Sequence, residues 1–441
     1  MRPKIVLFLF ALSLFVGCTS SLAIQPAVDS YKKSDFEKSY EQVLELEKSY
    51  LKQQGELIFS LDAGVLAHHS KRYRDSNVHL EKAELLIKEL YTESISANLA
   101  SFLVNDNTKA YQGEDYEDLY LNIFKALNYL NLNDYESSLV ELRRLSEKQQ
   151  LLKDKYTIYF EKMAKQKTDF NYLEPKSIRF SSSALGNYLY MIIARDINEP
   201  QEANFFAQQV KSSFATQKNL YNFPIPTSFE RDLLTPSKDK VRLNIVAFSG
   251  LGPYKEEFVE RFWFSPANYI KIALPRLISQ NTKVTSIEVT LNTNETFKLE
   301  ALEEMGLIAK ETFLLKQAAI ESKTILRSYL KATGTLAIDV ATDVLASSSS
   351  DENERSTIQF WGSLISFASR VFNEASEQAD VRSSHFFPDK AWLGGIDLKP
   401  GTYTAKIIYK DKNNSIIGFQ QLNNLIVGPN RVNLFSSVCP Y

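Results

Sequence analysis

Residues 119–145 read LYLNIFKALNYLNLNDYESSLVELRRL, and this stretch is the most informative part of the chain about its architecture. Apolar residues recur at helical spacing on both sides of Asn133-Asp134, a dipeptide typical of a turn. Two small residues, Ala126 and Ser138, stand at offsets that let two antiparallel helices approach closely. The stretch therefore predicts a helical hairpin.

Two further stretches repeat this pattern, one on either side of the first. They read SLDAGVLAHHSKRYRDSNVHLEKAELLIKEL at 60–90 and, more faintly, ALGNYLYMIIARDINEPQEANFFAQQVKSSF at 184–214. Their spacings resemble those of a tetratricopeptide repeat, in which antiparallel helix pairs stack side by side. Because about three repeats suffice for a stable stack, the resemblance implies a tetratricopeptide-like α-solenoid. The residues that carry it are Leu61, Gly64, Tyr73, Leu80 and Ala83 in the first copy, Ala126, Tyr129, Tyr135, Ser138 and Leu142 in the second, and Ala203 and Ala207 in the third.

The pattern changes after the proline-rich segment 219–240, which is a candidate domain boundary. Beyond it, alternating β-branched residues predict strands, and two long apolar stretches between them predict helices. We therefore expect an α+β multidomain chain, in which the solenoid is followed by a mixed β-sheet domain with inserted helices. Early and late strands are expected to share one sheet. The predicted strands are 241–248, 284–291, 392–398, 402–409, 416–421 and 431–435, and the predicted helices are 299–345 and 357–378.

The first seventeen residues, MRPKIVLFLFALSLFVG, have the form of an export signal. The apolar run is about twelve residues long, shorter than the roughly twenty that span a bilayer core. Gly17 and Cys18 resemble a bacterial lipobox, which implies cleavage before Cys18 and attachment of diacylglycerol and an N-acyl chain to that cysteine. Thr19 follows instead of Asp, which implies the outer membrane with the protein facing the periplasm. An ordinary secreted protein, an uncleaved anchor and surface exposure are the alternatives.

This organisation predicts four segments. They are a lipoprotein signal peptide at 1–17, a tether at 18–30, a tetratricopeptide-like helical domain at 31–235, and an α+β domain at 236–441 with a helical insert near 299–378. The balance of 51 Lys and Arg against 53 Asp and Glu gives no electrostatic reason to expect a nucleic-acid partner. Cys439 would be the one cysteine without lipid, so we expect a free thiol, with an intermolecular bridge as the alternative.

Four stretches together resemble a family of uncharacterised bacterial lipoproteins that combine tetratricopeptide-like N-terminal helices with a C-terminal α+β region. The resemblance implies no assigned reaction. It implies a setting in envelope assembly, since members sometimes occur beside genes for activators of peptidoglycan synthases. The stretches are ALNYLNLNDYESSLVELRRL at 126–145, FSGLGPYKEEF at 248–258, TILRSYLKA at 324–332 and EQADVRSSHFFPDKAWLGGIDLKPGTYTAKI at 377–407.

The segment QADVRSSHFFPDKAW, at 378–392, is the candidate binding loop. It places Asp380, Arg382, His385 and Asp389 between a predicted helix and a predicted strand, where binding loops often lie. An Asp and an Arg two positions apart can instead form an ion pair that braces the loop. Structural bracing is the favoured interpretation and a functional site is the alternative.

No metal site or catalytic group is expected. The adjacent His68 and His69 point about 100° apart on a helix, so they cannot face one metal ion from that element. Ser249 lies in AFSGLG, which lacks the flanking glycines of a nucleophile elbow and predicts a turn that closes a strand. Glu303 and Glu311 lie at helical spacing and predict a solvated charged face rather than an acid/base pair.

The expected function follows from the address and the architecture. We expect a membrane-anchored envelope lipoprotein that is not an enzyme, needs no cofactor besides its covalent lipid, and acts as a scaffold. The concave face of the helical repeats would bind an envelope protein. A self-associating structural lipoprotein and an envelope hydrolase are the alternatives.

Overall fold

The computed structural model describes residues 24–96, 110–165, 179–237, 239–265, 268–317, 320–321 and 378–441. The N-terminal half of the described chain is helical, and the C-terminal half forms a large mixed sheet with a separate two-stranded ribbon. A further helical segment covers 305–317. The helices are α1 Gln25–Lys32, α2 Phe36–Glu45, α3 Glu47–Gln53, α4 Glu56–His69, α5 Tyr73–Ser96, α6 Asp115–Asn131, α7 Tyr135–Lys165, α8 Ala184–Asp196, α9 Pro200–Thr216 and α10 Thr227–Asp232.

Eight of these helices form four antiparallel pairs, which we call hairpins 1 to 4: α1–α2, α4–α5, α6–α7 and α8–α9. In hairpins 1, 2 and 3 a serine of the second helix donates a hydrogen bond to the carbonyl of a small residue twelve positions earlier. In hairpin 4 Ala203 takes the place of the serine. The shared contact fixes how closely the two helices of a pair approach. The bonded pairs are Ser39 with Ala27 (2.7 Å), Ser76 with Gly64 (2.7 Å) and Ser138 with Ala126 (2.8 Å).

The four hairpins also turn in the same way. Each turn contains one residue in the left-handed region, namely Ser34, Lys71, Asn133 and Asn198, with φ between 60° and 66°. The second helix of each of the first three hairpins contacts the first helix of the next. Hairpins 2, 3 and 4 correspond to the three copies read from the sequence.

Hairpin 1 was not predicted from the sequence. The chain is helical from Gln25, so the last six residues of the segment predicted as a tether, 25–30, belong to α1. Pro26 lies in the first turn of this helix, where its missing N–H costs no hydrogen bond. Ala27 and Tyr31 are buried and join the same hydrophobic core as the later hairpins. No helix among the described residues is both long and apolar enough to cross a membrane.

The large sheet has seven strands in the order β8-β7-β4-β5-β6-β1-β9. Neighbouring strands of this sheet are antiparallel except β1 and β9, which are parallel. Early and late strands therefore share one sheet, as predicted. The strands are β1 Val241–Ser249, β2 Tyr254–Ser265, β3 Asn268–Ile278, β4 Ser286–Leu291, β5 Thr296–Glu304, β6 Lys390–Leu398, β7 Gly401–Lys410, β8 Ile416–Val427 and β9 Leu434–Cys439.

The two outer strands of this sheet come close together, so the sheet is nearly closed. Gln420 on β8 accepts a hydrogen bond through its side-chain oxygen from the backbone N–H of Val438 on β9, at 3.0 Å. The enclosed side chains, among them Ile245, Ile407 and Tyr409, form one hydrophobic core. Cys439 is buried at this seam as a free thiol.

A second core joins the outer face of the sheet to the helices. Phe248 of β1 and Leu393 of β6 belong to the same buried cluster as Phe124 of α6 and Tyr188 of α8. The rings of Phe124 and Phe248 lie 5.6 Å apart. Strand β1 is thus buried on both faces, which explains the continuous apolar run at 245–248.

The prediction of a helix from residue 299 was wrong for 299–304, which belong to β5. The segment TFKLEALEE is rich in helix-forming residues, but pairing with β4 and β6 outweighs that preference. A bulge between Ala301 and Glu303 places Leu302 and Glu303 in the interior. Strands β2 and β3, which pair as a ribbon, were not predicted. The predicted helices at 322–345 and 357–377 lie outside the described residues.

Candidate functional site

The central feature of the candidate site is the fully buried carboxylate of Asp62, in the middle of α4. One oxygen accepts hydrogen bonds from the Ser384 hydroxyl (2.7 Å) and the backbone N–H of His385 (2.8 Å). The other accepts from the Tyr50 hydroxyl (2.6 Å) and lies 2.7 Å from Nδ1 of His385. Four donors therefore surround one carboxylate, which fixes residues 384–385 of the predicted binding loop against hairpin 2.

A second buried carboxylate holds the same loop from hairpin 3. Glu117 accepts hydrogen bonds from the backbone N–H of Ser384 (2.7 Å) and from the Tyr111 hydroxyl (2.7 Å). It also accepts from the backbone N–H of Glu114, forming a capping box at the start of α6. Burial raises the pKa of Glu117 to about 7, and the neighbouring Glu114 adds to the shift.

The four residues predicted for the loop do not converge on one point. Asp380 and Arg382 form a two-pronged ion pair, with both nitrogen–oxygen distances at 2.9 Å. This is the bracing pair favoured by the sequence. Asp389 lies at the other end of the loop, where it accepts a hydrogen bond from the backbone N–H of Thr282 at 2.9 Å. All four residues are half-buried, and His385, with 30% of its side chain exposed, borders a depression.

The depression beside His385 is small and partly open to solvent. Its walls come from the start of α1, from the end of α2 and α3, and from the loop. Burial would lower the pKa of His385, but the charge of Asp62 and the hydrogen bond to it outweigh burial, so the pKa lies above its usual value. Its Nε2 atom has no hydrogen-bond partner among the described residues. The lining residues are Ile24, Leu46, Ser49, Tyr50, Gln53, Gln54 and His385.

The Asp62–His385 pair is the arrangement that orients a histidine base in many hydrolases. In such hydrolases the nucleophile forms a hydrogen bond with the other ring nitrogen, which here is Nε2. Here the nearest serine in sequence, Ser384, donates its hydroxyl to Asp62 instead. The contacts of Asp62 with Ser384 and His385 make the pair an anchor for the loop, with Nε2 of the ring on the side away from the carboxylate.

Glu303 is not part of a solvated face, and that prediction was wrong. Its carboxylate is fully buried and accepts hydrogen bonds from the hydroxyls of Tyr120 (2.8 Å), Tyr221 (2.7 Å) and Ser183 (2.9 Å) and from the backbone N–H of Leu185 (3.1 Å). Burial raises its pKa. The contacts join β5 to the N-terminus of α8, so the role of this carboxylate is to hold sheet and helices together.

A charged network links hairpins 2 and 3. The buried Lys125 contacts Glu81, Glu84 at 2.7 Å and Glu141 at 3.1 Å. Lys148 contacts Glu84 from the other side, also at 2.7 Å. Because cations and carboxylates alternate and pair with one another, the network explains the packing of the two hairpins.

The histidines of hairpin 2 are packed among aromatic rings. His68 bonds to Asn128 at 2.7 Å through Nδ1, and burial lowers its pKa to about 4. His69 contacts Tyr31 and Phe124, and His79 contacts Tyr40. In the ranges that the structure describes, no three His, Cys, Asp or Glu side chains are grouped to hold a metal ion.

One surface feature follows the repeat of the hairpins. Two positions after the serine or alanine that contacts the first helix, hairpins 2, 3 and 4 carry a large exposed apolar residue. These are Val78, Val140 and Phe205, which are 69%, 41% and 57% exposed. We call them the apolar row. Hairpin 1 carries Glu41 at this position. Since the three residues are equivalent in consecutive hairpins, they lie along one side of the array.

Two features of the site escaped sequence reasoning. Asp62 could have been noticed as the one charged residue in the otherwise apolar stretch 57–67. The equivalence of Val78, Val140 and Phe205 could have been found by aligning the hairpins on their turns.

Comparisons with protein-family models, with curated proteins and with solved structures found no match for this chain.

Proposed function

We propose that this chain is an envelope lipoprotein, anchored through lipid on Cys18, that acts as a scaffold for protein–protein interactions. Hairpins 1 to 4 form a tetratricopeptide-like array in this proposal, and the partner is another protein of the envelope, in envelope or peptidoglycan assembly. No catalytic step is assigned to the chain. The observation that carries the proposal is the apolar row.

Single exposed apolar residues are common on protein surfaces and mean little. Recurrence at the same position of three consecutive hairpins is different, because the shared packing of the hairpins aligns the side chains. A partner segment that lies across the second helices could bury all three at once. The proposed docking surface therefore lies on the second helices of the hairpins.

The anchor is supported by the export signal, by the lipobox-like Gly17-Cys18 and by the position of the fold. Helix α1 begins at Gln25, seven residues after Cys18. Growth with labelled palmitate tests this part: we expect label on the wild-type chain and none on Cys18→Ser. Equal labelling, or membrane fractionation of the variant like that of the wild type, would remove the anchor from the proposal.

The scaffold itself is tested by photo-crosslinking in intact cells. A photoreactive amino acid at position 78, 140 or 205 should give crosslinks to one common envelope protein. The same amino acid at Asn413, in the exposed turn between β7 and β8, serves as the matched control and should not. Crosslinks only to further copies of this chain would favour the self-associating structural role instead, and no crosslinks from any of the three positions would refute the proposal.

A further inference from the structure

The depression beside His385 lies at the point where the chain enters the fold. Ile24 forms part of its rim. Because an extended chain spans at most about 3.6 Å per residue, the six residues from Cys18 to Ile24 reach no further than about 20 Å. A lipid on Cys18 would thus keep this depression within about 20 Å of the membrane surface.

We propose that this depression binds the phosphate of a membrane lipid headgroup at the surface to which the chain is tethered. The inference rests on the proposed anchor for its geometry, and it adds a second, non-covalent contact between protein and membrane.

The donors suit a phosphate. His385 is held by Asp62 through Nδ1 at 2.7 Å, which directs the opposite edge of the ring, with Nε2, away from the buried carboxylate. In the protonated ring Nε2 is a hydrogen-bond donor, and protonation is favoured by the charge of Asp62. The other titratable groups that face the ring are Tyr50 and Glu117. The Ser49 hydroxyl, which accepts a hydrogen bond from the Gln53 amide at 3.2 Å, supplies a further donor on the wall.

The surface beside the depression suits an anionic membrane. Helix α3, which supplies Ser49 and Gln53, also exposes Lys48, Leu51 and Lys52. These three lie on one side of the helix because their spacing is three and four residues. Neither lysine forms an ion pair with the described residues. Two lysines and a leucine on one side can contact headgroups and the upper acyl region together.

Vesicle cosedimentation tests the inference without any help from the anchor. The probe is the processed chain from residue 18 with Cys18→Ser, so that no acyl group can drive membrane association. We expect binding to vesicles that contain phosphatidylglycerol and not to vesicles of an uncharged, phosphate-free glycolipid. His385→Gln and Ser49→Leu should each weaken binding by about tenfold, as expected when one charge-assisted hydrogen bond is lost or the depression is filled.

The controls separate the outcomes. Lys412→Gln removes an exposed lysine at the far β7–β8 turn and should bind like the parent chain. Thermal unfolding shows whether each variant folds. Ser49→Leu leaves the contacts of Asp62 in place, so this variant still tests the proposal if His385→Gln fails to fold. Equal binding of the parent and both site variants, equal binding to both kinds of vesicle, or displacement by inorganic phosphate at matched phosphate concentration would overturn the proposal. Palmitate labelling at Cys18 tests the anchor separately.

Discussion

The carboxylate of Asp62 holds both the ring and the backbone of His385, with Nδ1 at 2.7 Å and the backbone N–H at 2.8 Å, although the residues are 323 positions apart in the chain. Asp62 belongs to the second helical hairpin, and His385 belongs to the loop that leads into β6. The pair therefore connects the two halves of the fold directly. It also leaves the outer edge of the His385 ring at the protein surface.

We expect Asp62→Ala to destabilise the protein by about 2–4 kcal/mol, because four buried donors lose their common acceptor. Urea unfolding followed by circular dichroism measures the loss. The matched control is Asp134→Ala, which removes an exposed cap at the start of α7 and should cost about 1 kcal/mol. If the two variants were equally stable, the Asp62 cluster would not be a principal link between the halves.

Stability should fall as the pH rises toward neutrality, because of Glu117. Burial raises its pKa from 4.5 to about 7, so the folded state binds this proton more tightly than the unfolded state. The stabilisation from Glu117 is complete below about pH 4.5 and is lost by about pH 7. Over this range the free energy of unfolding falls by at most about 1.4 kcal/mol per pH unit. Asp389, whose pKa burial raises to about 6, and His385 act in the same direction.

Glu117→Gln isolates that contribution, since glutamine mimics the protonated acid. Between pH 5 and pH 7, the free energy of unfolding of the wild type should fall relative to that of this variant. Glu84→Gln is the control. Burial would raise the pKa of Glu84, but Lys148 and Lys125 outweigh burial and lower it to about 2, so this variant should leave the slope unchanged over that range. A pH-independent difference for Glu117→Gln would contradict the assignment.

Gly64 sets the approach of α4 and α5. A methyl group at this position would lie 2.5 Å from Cδ2 of Leu80, closer than atoms can pack. We therefore expect Gly64→Ala to destabilise the protein by about 1–3 kcal/mol, despite the higher helix propensity of alanine. In a double-mutant cycle with Leu80→Ala, the cost of the pair should be less than the sum of the single costs. Simple additivity would show that the helices do not meet at this contact.

The hairpins illustrate what the sequence makes predictable. Gly64 in the first copy, Ala126 and Ser138 in the second, and Ala203 in the third are local signals, and they led to hairpins 2 to 4. Hairpin 1 carries the same signal in Ala27 and Ser39, but its two helices are only 8 and 10 residues long. Helical periodicity is weak over such lengths, so a tether was predicted for residues that in fact begin the array.

The sheet and the candidate site show what local signals cannot give. Strand β5 contains residues that favour helix, and its state is decided by two neighbouring strands and a bulge. The loop at 378–392 was found because its polar residues are close in sequence. Its partners Asp62 and Glu117 could not be found in this way, because each lies more than two hundred residues from the loop in sequence. Tertiary packing brings them into contact with it.

If the apolar row is one docking surface, its three positions bind the same partner segment together. The most direct test places a photoreactive amino acid at position 140 and changes the other two positions of the row. The measured quantity is the yield of partner crosslinked in cells. Val78→Ser and Phe205→Ser should each lower that yield severalfold, because a segment that spans the row loses an apolar contact. Leu151→Ser removes an exposed leucine of α7 outside the row and should leave it unchanged. Equal yields in all three variants would contradict the account.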